Sequence, residues 1–387
     1  MEKNFIPYNK PYLTGKEAHY MYEAVHSGKI SGNGKFTQKC QQFFESKYGF
    51  KKCLLTTSCT DALEMAALLM DIQAGDEVIM PAYTFVSTAN AFVLRGAKIV
   101  FADSCSDHPN IDATQLEALI TAQTKAIVVV HYGGMACDMD RILEIAHRHA
   151  LFVVEDAAQA IDAYYKEHPL GSMGHLATFS FHETKNIISG EGGMLAINDE
   201  QFIARAEVIW EKGTNRSAFF RGEVQKYEWV DIGSSFLPSD ITAAFLFAQL
   251  EELDDIQTKR KHLWQCYYAK LKKIENEGKI TLPVTPAYGA FNGNIFYVLT
   301  SNLAERDQLI QHLRAQQIHA VFHYLALHES PFYASKHDGR QLPNCDQFAN
   351  CLIRLPLFYE LTEKDIERIT KAIVSFYSDN NLSRETE

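Results

Sequence analysis

Two residues in the middle of the chain have the types and setting for cofactor chemistry. Lys185 lies in F-S-F-H-E-T-K-N-I-I-S-G-E-G-G, between a strand-like apolar run and a glycine-rich turn. Asp156 closes another apolar run, V-V-E-D-A-A-Q, at 153–159. An amine in an apolar setting, with an acid at a neighbouring strand end, is the pair that pyridoxal phosphate (PLP) chemistry needs. The amine holds the cofactor as a Schiff base, and the carboxylate keeps the pyridine nitrogen protonated so that the ring accepts electrons. A plainer reading stands beside this one. Most lysines are solvated surface charges, and many strand-end Asp residues only cap the next helix.

A hydroxyl-rich loop, Thr57-Ser58-Cys59-Thr60-Asp61-Ala62, follows the apolar run Cys53–Thr56 and opens a helix. Backbone N–H groups at a helix N-terminus bind anions readily, which suits a phosphate. Simple capping by Ser58 or Thr60 would explain the same loop taken alone. The company it keeps tips the balance. Four features recur at successive strand ends: this loop, the aromatic loop Pro81-Ala82-Tyr83-Thr84, Asp156 with Gln159, and Ser180 with Lys185.

The elements that must position these residues are legible as alternating strands and helices. Thr14 and Glu17 form a capping box that starts a helix ended by Gly28. The stretch S-G-K-I-S-G-N-G is expected to be a loop that approaches another part of the chain closely. Strands are expected at 53–56, 77–80, 98–101, 126–130, 151–155, 177–181 and 194–197. Helices are expected at 84–95, 114–120, 139–149 and 199–210. Units of this length indicate an α/β fold with an open, mostly parallel central sheet, in which ligands bind outside the carboxyl ends of the strands. From Ser239 the sequence reads as one long helix to about Arg260. Beyond it come a strand at 295–299, a helix at 306–317, a strand at 320–324 and a helix at 363–377. The expected division is a large PLP-binding α/β domain over 1–248 and a smaller C-terminal α+β domain over 249–387.

Composition removes several classes. The 387 residues exceed what one hydrophobic core usually serves. A net charge of -11 argues against a nucleic-acid partner, which calls for clustered Lys and Arg. No apolar run approaches the roughly 20 residues of a membrane helix. The start, M-E-K-N-F-I-P-Y, lacks the regions of a signal peptide, so the expected compartment is the cytoplasm. None of the eight cysteines forms a C-x-x-C pair and the histidines do not fall at metal spacing, so no metal site is expected.

The motifs G-D-E-V-I-M-P-A-Y-T-F-V-S-T-A-N at 75–90, V-V-E-D-A-A-Q at 153–159, S-F-H-E-T-K-N at 180–186 and G-E-G-G at 190–193 carry a resemblance over nearly the whole chain. The sequence resembles the fold-type I PLP-dependent transferases, and within them the DegT/DnrJ/EryC1/StrS sugar aminotransferases. Further stretches are similar to the branch that makes dTDP-4-amino-4,6-dideoxygalactose for enterobacterial common antigen and related surface polysaccharides: E-K-G-T-N-R-S at 211–217, D-I-G-S-S-F at 231–236, F-H-Y at 322–324 and R-L-P-L-F-Y at 354–359.

The resemblance implies roles. Lys185 holds the cofactor and then moves the proton. Asp156 pairs with the pyridine nitrogen, and Gln159 contacts the cofactor phenol oxygen or ring. Tyr83 stacks on the ring, while Thr60, the Asp61 backbone and Ser180 hold the phosphate. The family completes the site across a homodimer with an asparagine in G-x-N. Here Gly233-Ser234-Ser235 puts Ser235 in that place, where its hydroxyl can still donate. Lys212, Arg216, His323 and Tyr324 are the candidates for the nucleotide sugar, and a cationic pair would attract its diphosphate. The implied reaction is ping-pong transfer from L-glutamate to C4 of dTDP-4-keto-6-deoxy-D-glucose. The gluco epimer, or a 3-keto sugar, is the alternative. A sugar dehydrase on the same scaffold has histidine in place of Lys185. A PLP-sensing regulator would carry a basic DNA-binding domain ahead of the fold.

Overall fold

The computed structural model describes residues 5–384. Residues 1–4, part of the stretch read as lacking a signal peptide, lie outside the described residues. At the centre is a seven-stranded sheet made from the predicted apolar runs. Its strands are β1 (Lys52–Thr56), β2 (Glu77–Pro81), β3 (Lys98–Ala102), β4 (Thr124–Val130), β5 (Phe152–Asp156), β6 (Leu176–Ser180) and β7 (Gly193–Ile197). They lie in the order β1-β7-β6-β5-β4-β2-β3. Strand β7 runs antiparallel to both β1 and β6, and the other pairs are parallel. The run A-I-V-V-V in β4 is buried throughout, as a strand covered on both faces requires.

Helices supply those covers. On one face α3 (Cys59–Leu69), α4 (Val86–Val93) and α6 (Ile203–Trp210) contribute Met65, Ala66, Phe92 and Trp210. On the other, α2 (Lys35–Tyr48), α5 (Met139–Arg148) and α8 (Asp240–Glu251) contribute Phe36, Phe44, Ile142 and Ala243. A third apolar cluster lies in the C-terminal part. It joins α9 (Leu253–Asn276), α10 (Leu303–Ala315) and α12 (Glu363–Arg384) to a three-stranded antiparallel sheet of β8 (Phe296–Leu299), β9 (Val321–Phe322) and β10 (Leu352–Leu355), with β10 in the middle, while the short α7 (Arg216–Phe220) follows α6 and α11 (Pro343–Cys351) leads into β10. No helix among the described residues is long and apolar enough to cross a membrane.

Local chemistry explains the departures from expectation. Helix α1 (Glu17–His26) begins three residues after Thr14, because the Glu17 carboxylate accepts the N–H groups of Thr14 at 2.7 Å and Gly15 at 2.9 Å. Those amides are satisfied by a cap instead of a turn. The expected helix at 114–120 is a 3-10 turn at Leu116–Leu119, and the strand at 320–324 shortens to Val321–Phe322. The long helix from Ser239 breaks at Glu252 into α8 and α9. The glycine-rich loop does approach the chain closely. Gly34 caps α2 without a side chain, and the buried carboxylate of Asp240 takes over that task. It accepts from Phe36 N–H at 3.2 Å and from Thr37 N–H and Oγ1 at 2.8 Å each. A Cβ at Gly34 would lie 2.5 Å from the Asp240 Cγ, so only glycine admits this cap. Caps of this kind stabilise by about 1 kcal/mol.

Candidate active site

Strand β6 ends at Ser180 and the chain folds back on itself. Glu183 N–H donates to Gly190 O at 2.9 Å, Ser189 N–H to Phe181 O at 2.7 Å, and Lys185 N–H to His182 O at 2.9 Å. Lys185 therefore sits in a closed loop whose backbone is held by its own hydrogen bonds. Its side chain is half-buried, and its amine has no ion-pair or hydrogen-bond partner among the described residues. Burial pulls the amine's pKa down to about 8; the Arg354 cation adds to that, and Cys59 and Asp156 oppose it. Near neutral pH this amine gives up its proton far more readily than an ordinary lysine at about 10.4.

Asp156, at the end of the adjacent β5, is buried. Its Oδ2 accepts from Thr88 Oγ1 at 2.7 Å and its Oδ1 from Ala158 N–H at 3.1 Å. Burial raises the carboxyl pKa, while these two bonds and the Lys185 charge pull it back. Thr88 lies on α4, one turn in from the helix start at Phe85. Opposite Asp156 in β6, Thr178 has a buried hydroxyl with no hydrogen-bond partner.

Ser58 caps α3 and accepts from Asp61 N–H at 3.1 Å. Thr60 Oγ1 donates to Ser87 Oγ at 2.8 Å, and the Asp61 carboxylate accepts from the Thr57 hydroxyl. Gly193 brings β7 against this turn. A Cβ there would lie 2.3 Å from the Ser58 carbonyl carbon and 2.4 Å from the Cys59 nitrogen. The same glycine pairs with Thr56 on one side and Ser180 on the other. Cys59, in this first turn, has its thiol pushed up by burial and by Asp156, and feels the Lys185 charge as well. An unpartnered amine, a buried carboxylate and a hydroxyl-lined helix N-terminus thus meet at one edge of the sheet. This donor set fits a group that carries a carbonyl, a protonated ring nitrogen and a phosphate.

The other predicted residues fall into two places. Gln159 joins the lysine's side. Its Oε1 accepts from Gly133 N–H at 2.7 Å and its Nε2 donates to Tyr324 Oη at 3.0 Å, so both ends of the amide are engaged by protein. Ser180 Oγ accepts from His182 N–H at 3.4 Å. His323 is hydrogen-bonded through Nδ1 to Tyr132 Oη at 2.9 Å. Burial, Arg354 and Lys185 hold its pKa well below the usual range, which keeps it neutral. Tyr83 is only 1% exposed, enclosed by the rings of Tyr132 at 5.4 Å, Tyr324 at 5.9 Å and Phe348 at 6.0 Å. A ring that stacks on a cofactor must show a face when the cofactor is absent, and Tyr83 shows none. Phe85, two residues on, is 54% exposed and 6.0 Å from Tyr324. Its signal in the sequence was its place as the last residue before α4, one turn ahead of the residue that holds Asp156.

Lys212, Arg216 and Ser235 gather elsewhere. They line a cavity of about 710 Å³ with Lys29, Asn33 and Trp210, and neither Lys185 nor Asp156 borders it. Glu211 organises its wall: it bridges to Ser235 through the backbone, lies 3.5 Å from the Arg216 guanidinium, and accepts from Ser217 Oγ at 3.1 Å.

Comparison with known proteins agrees with this geometry. The model of the DegT/DnrJ/EryC1/StrS aminotransferase family matches residues 11–374. The spore coat polysaccharide biosynthesis protein SpsC of Bacillus subtilis is 34% identical, over 96% of each chain. A GDP-perosamine synthase of Caulobacter vibrioides is 36% identical, over 94% of this chain and 96% of that one. Among solved structures, DesV of S. venezuelae, determined with a ketimine intermediate, superposes with a TM-score of 0.88 at 29% identity, covering 97% of this chain and 99% of that one. With the sheet order, the lysine loop and the buried acid all in place, the chain belongs to the DegT/DnrJ/EryC1/StrS aminotransferase family and is a PLP-dependent sugar aminotransferase.

Proposed function

We propose that the protein transfers the amino group of L-glutamate to C4 of dTDP-4-keto-6-deoxy-D-glucose, giving dTDP-4-amino-4,6-dideoxy-D-galactose for surface polysaccharide, and that it works in the cytoplasm as a homodimer. The observation that carries amine transfer is the unpartnered amine of Lys185, with a pKa of about 8, on the same sheet edge as the buried Asp156. PLP, when bound, supplies an electron sink for the carbon that bears the amino group. Lys185 Nζ is the base and then the acid for the proton at that carbon, since its pKa lies near the working pH. The hydrogen bonds from Thr88 and Ala158 offset part of the upward pull of burial on the Asp156 carboxyl, and this group would pair with the ring nitrogen. Thr60, the Asp61 backbone and Ser180 would hold the phosphate, with the Asp61 N–H turning to it from Ser58 Oγ. Phe85 would cover the ring, and Gln159 with Tyr324 would border it.

The cations Lys212 and Arg216 suit the diphosphate of the nucleotide sugar. Their distance from the lysine's side supports a site completed by a second copy, with Ser235 reaching the partner's phosphate. The segment beyond Arg216 supports the same reading, because it leaves Phe220 72% and Trp229 82% exposed. Large apolar groups left open together mark an association surface. The dTDP-linked 4-keto substrate rests on the stretches at 211–217, 231–236 and 354–359. The likeness to a GDP-perosamine synthase favours a second reading, the same transfer on a GDP-linked sugar.

The test is to incubate the purified protein with L-glutamate and dTDP-4-keto-6-deoxy-D-glucose and to determine the product's configuration by NMR. The galacto 4-amino sugar is expected. Turnover confined to a GDP-linked keto sugar would replace the first reading by the second.

A further inference from the structure

Arg354 belongs to none of the roles above, yet its charge reaches the reacting amine. It is a lone cation in β10, whose other residues, Leu352, Ile353 and Leu355, are buried. In the antiparallel register it pairs with Tyr297 of β8 and Val321 of β9. Directly paired residues share a face of the sheet. Tyr297 lies 6.0 Å from Tyr132, which in turn holds His323, so Arg354 is on the face turned to the lysine's side. Its charge acts on Lys185, His323, Tyr132 and Tyr324.

What it lacks is a counterion. No carboxylate lies within ion-pair distance of its guanidinium among the described residues, and its Nε is buried with no hydrogen-bond partner. The ring of Tyr8 lies 5.3 Å from the guanidinium carbon. Asp156, the buried acid of the site, is already engaged by Thr88 and Ala158. Keeping a half-buried guanidinium without a partner is costly. A fork of N–H donors left open in this way matches a carboxylate or a phosphate.

Both substrates bring an anion, and connectivity separates them. The α-carboxylate of an amino acid hangs on the same carbon as the nitrogen that reacts. The diphosphate of a nucleotide sugar is attached across the ring from C4, several bonds away. A guanidinium close enough to act on the Lys185 amine fits the first. We propose that Arg354 is the receptor for the α-carboxylate of the amino donor, a role that rests on the reading of the protein as a glutamate-dependent aminotransferase.

The two half-reactions test this separately, using holoenzyme and Arg354→Gln and Arg354→Lys variants. In the first, glutamate alone is added and the loss of the visible band of the lysine-bound cofactor is followed at several concentrations. In the second, the amine form of the enzyme is given the keto sugar. Binding of glutarate, which carries two carboxylates and no amine, is measured by calorimetry as a readout that needs no turnover. Arg354→Gln should keep the visible band and raise the glutamate concentration for half-saturation about 10- to 100-fold. It should weaken glutarate similarly and leave the keto sugar within twofold. Arg354→Lys should recover part of the loss, because it keeps the charge and loses the fork. Half-saturation by glutamate within twofold of the parent in both variants overturns the assignment. So does a loss that falls equally or more heavily on the nucleotide sugar, which would give the guanidinium to the diphosphate. If the parent bleaches with glutamate but aminates none of the keto sugars tried, the acceptor reading fails and the Arg354 result still stands.

Discussion

In the cofactor-free protein, replacing Lys185 by Met should stabilise the fold at neutral pH, and the advantage should fade as pH rises. The native amine has a pKa of about 8, and in the unfolded chain it returns to about 10.4. Below about pH 8 both states hold the proton, and the folded state bears the whole cost of a desolvated cation. Between about 8 and about 10.4 the unfolded chain binds a proton that the native state does not, so stability rises with pH. Above that window the cost is gone. At about 1.4 kcal/mol per pH unit the gap sets a ceiling of roughly 3 kcal/mol. The side chain is only half-buried, so solvent screens part of this, and about 1–2 kcal/mol is the expected gain. Met has a similar volume and no charge. The assay is denaturant or thermal unfolding of the parent and Lys185→Met, both free of cofactor, at pH 7, 8, 9 and 10. The difference between the two cancels the tyrosines and thiols that titrate in both. A difference that stays flat across this range, or a variant less stable than the parent at pH 7, would refute the account of the amine as a desolvated, unpaired cation.

Two further outcomes follow from close approach and exposure. Gly193→Ala places a Cβ within 2.4 Å of the Ser58–Cys59 backbone. It should cost about 1–3 kcal/mol of stability and weaken cofactor binding, read by melting and by titrating PLP against the visible band; a variant with parental affinity would show that β7 does not shape the phosphate end. Phe85→Ala should lower PLP affinity about tenfold while leaving the melting temperature nearly unchanged, since the ring is largely exposed. Tyr83→Ala should instead cost about 3–5 kcal/mol as a core truncation, and the reverse pattern would return the stacking role to Tyr83.

The sheet was legible because each strand carries its own signal. The A-I-V-V-V of β4 and the apolar runs of β2, β5 and β6 need no partner to be recognised, and their helical connections force a mostly parallel order. Less legible were the places where a side chain from afar decides the local structure. Asp240 caps α2 from more than 200 residues away, and the sequence shows only that the glycines of the S-G-N-G loop must approach something. Glu17 was recognised as half of a capping box, but its third bond, from Gln249 Nε2 at 2.6 Å, fastens α1 to α8 and involves no local motif.

The same distinction separates the site residues that sequence reasoning finds from those it misses. Strand order in an open parallel sheet collects carboxyl ends at one edge. A residue at a strand end, such as Thr56, Asp156 or Ser180, therefore announces its position by its place in the chain. Register adds that Thr56 and Ser180 both oppose Gly193, so the hydroxyl loop and the lysine loop must be neighbours. Nothing comparable locates a residue brought in by packing one sheet against another. His323, Tyr132 and Arg354 come from three segments that no periodicity relates. Lys212 and Arg216 could be chosen by type, but not placed relative to the lysine. Arg354 makes the limit plain. In the sequence it opens the stretch R-L-P-L-F-Y, which bears on the resemblance and assigns the arginine itself no role. Only the packed structure shows that its Nε is buried, that no carboxylate among the described residues lies within ion-pair distance, and that the amine whose pKa it lowers is the one that must react. An unpaired cation in that position is a request for an anion, and the anion that the reaction brings to that carbon is the carboxylate of the donor.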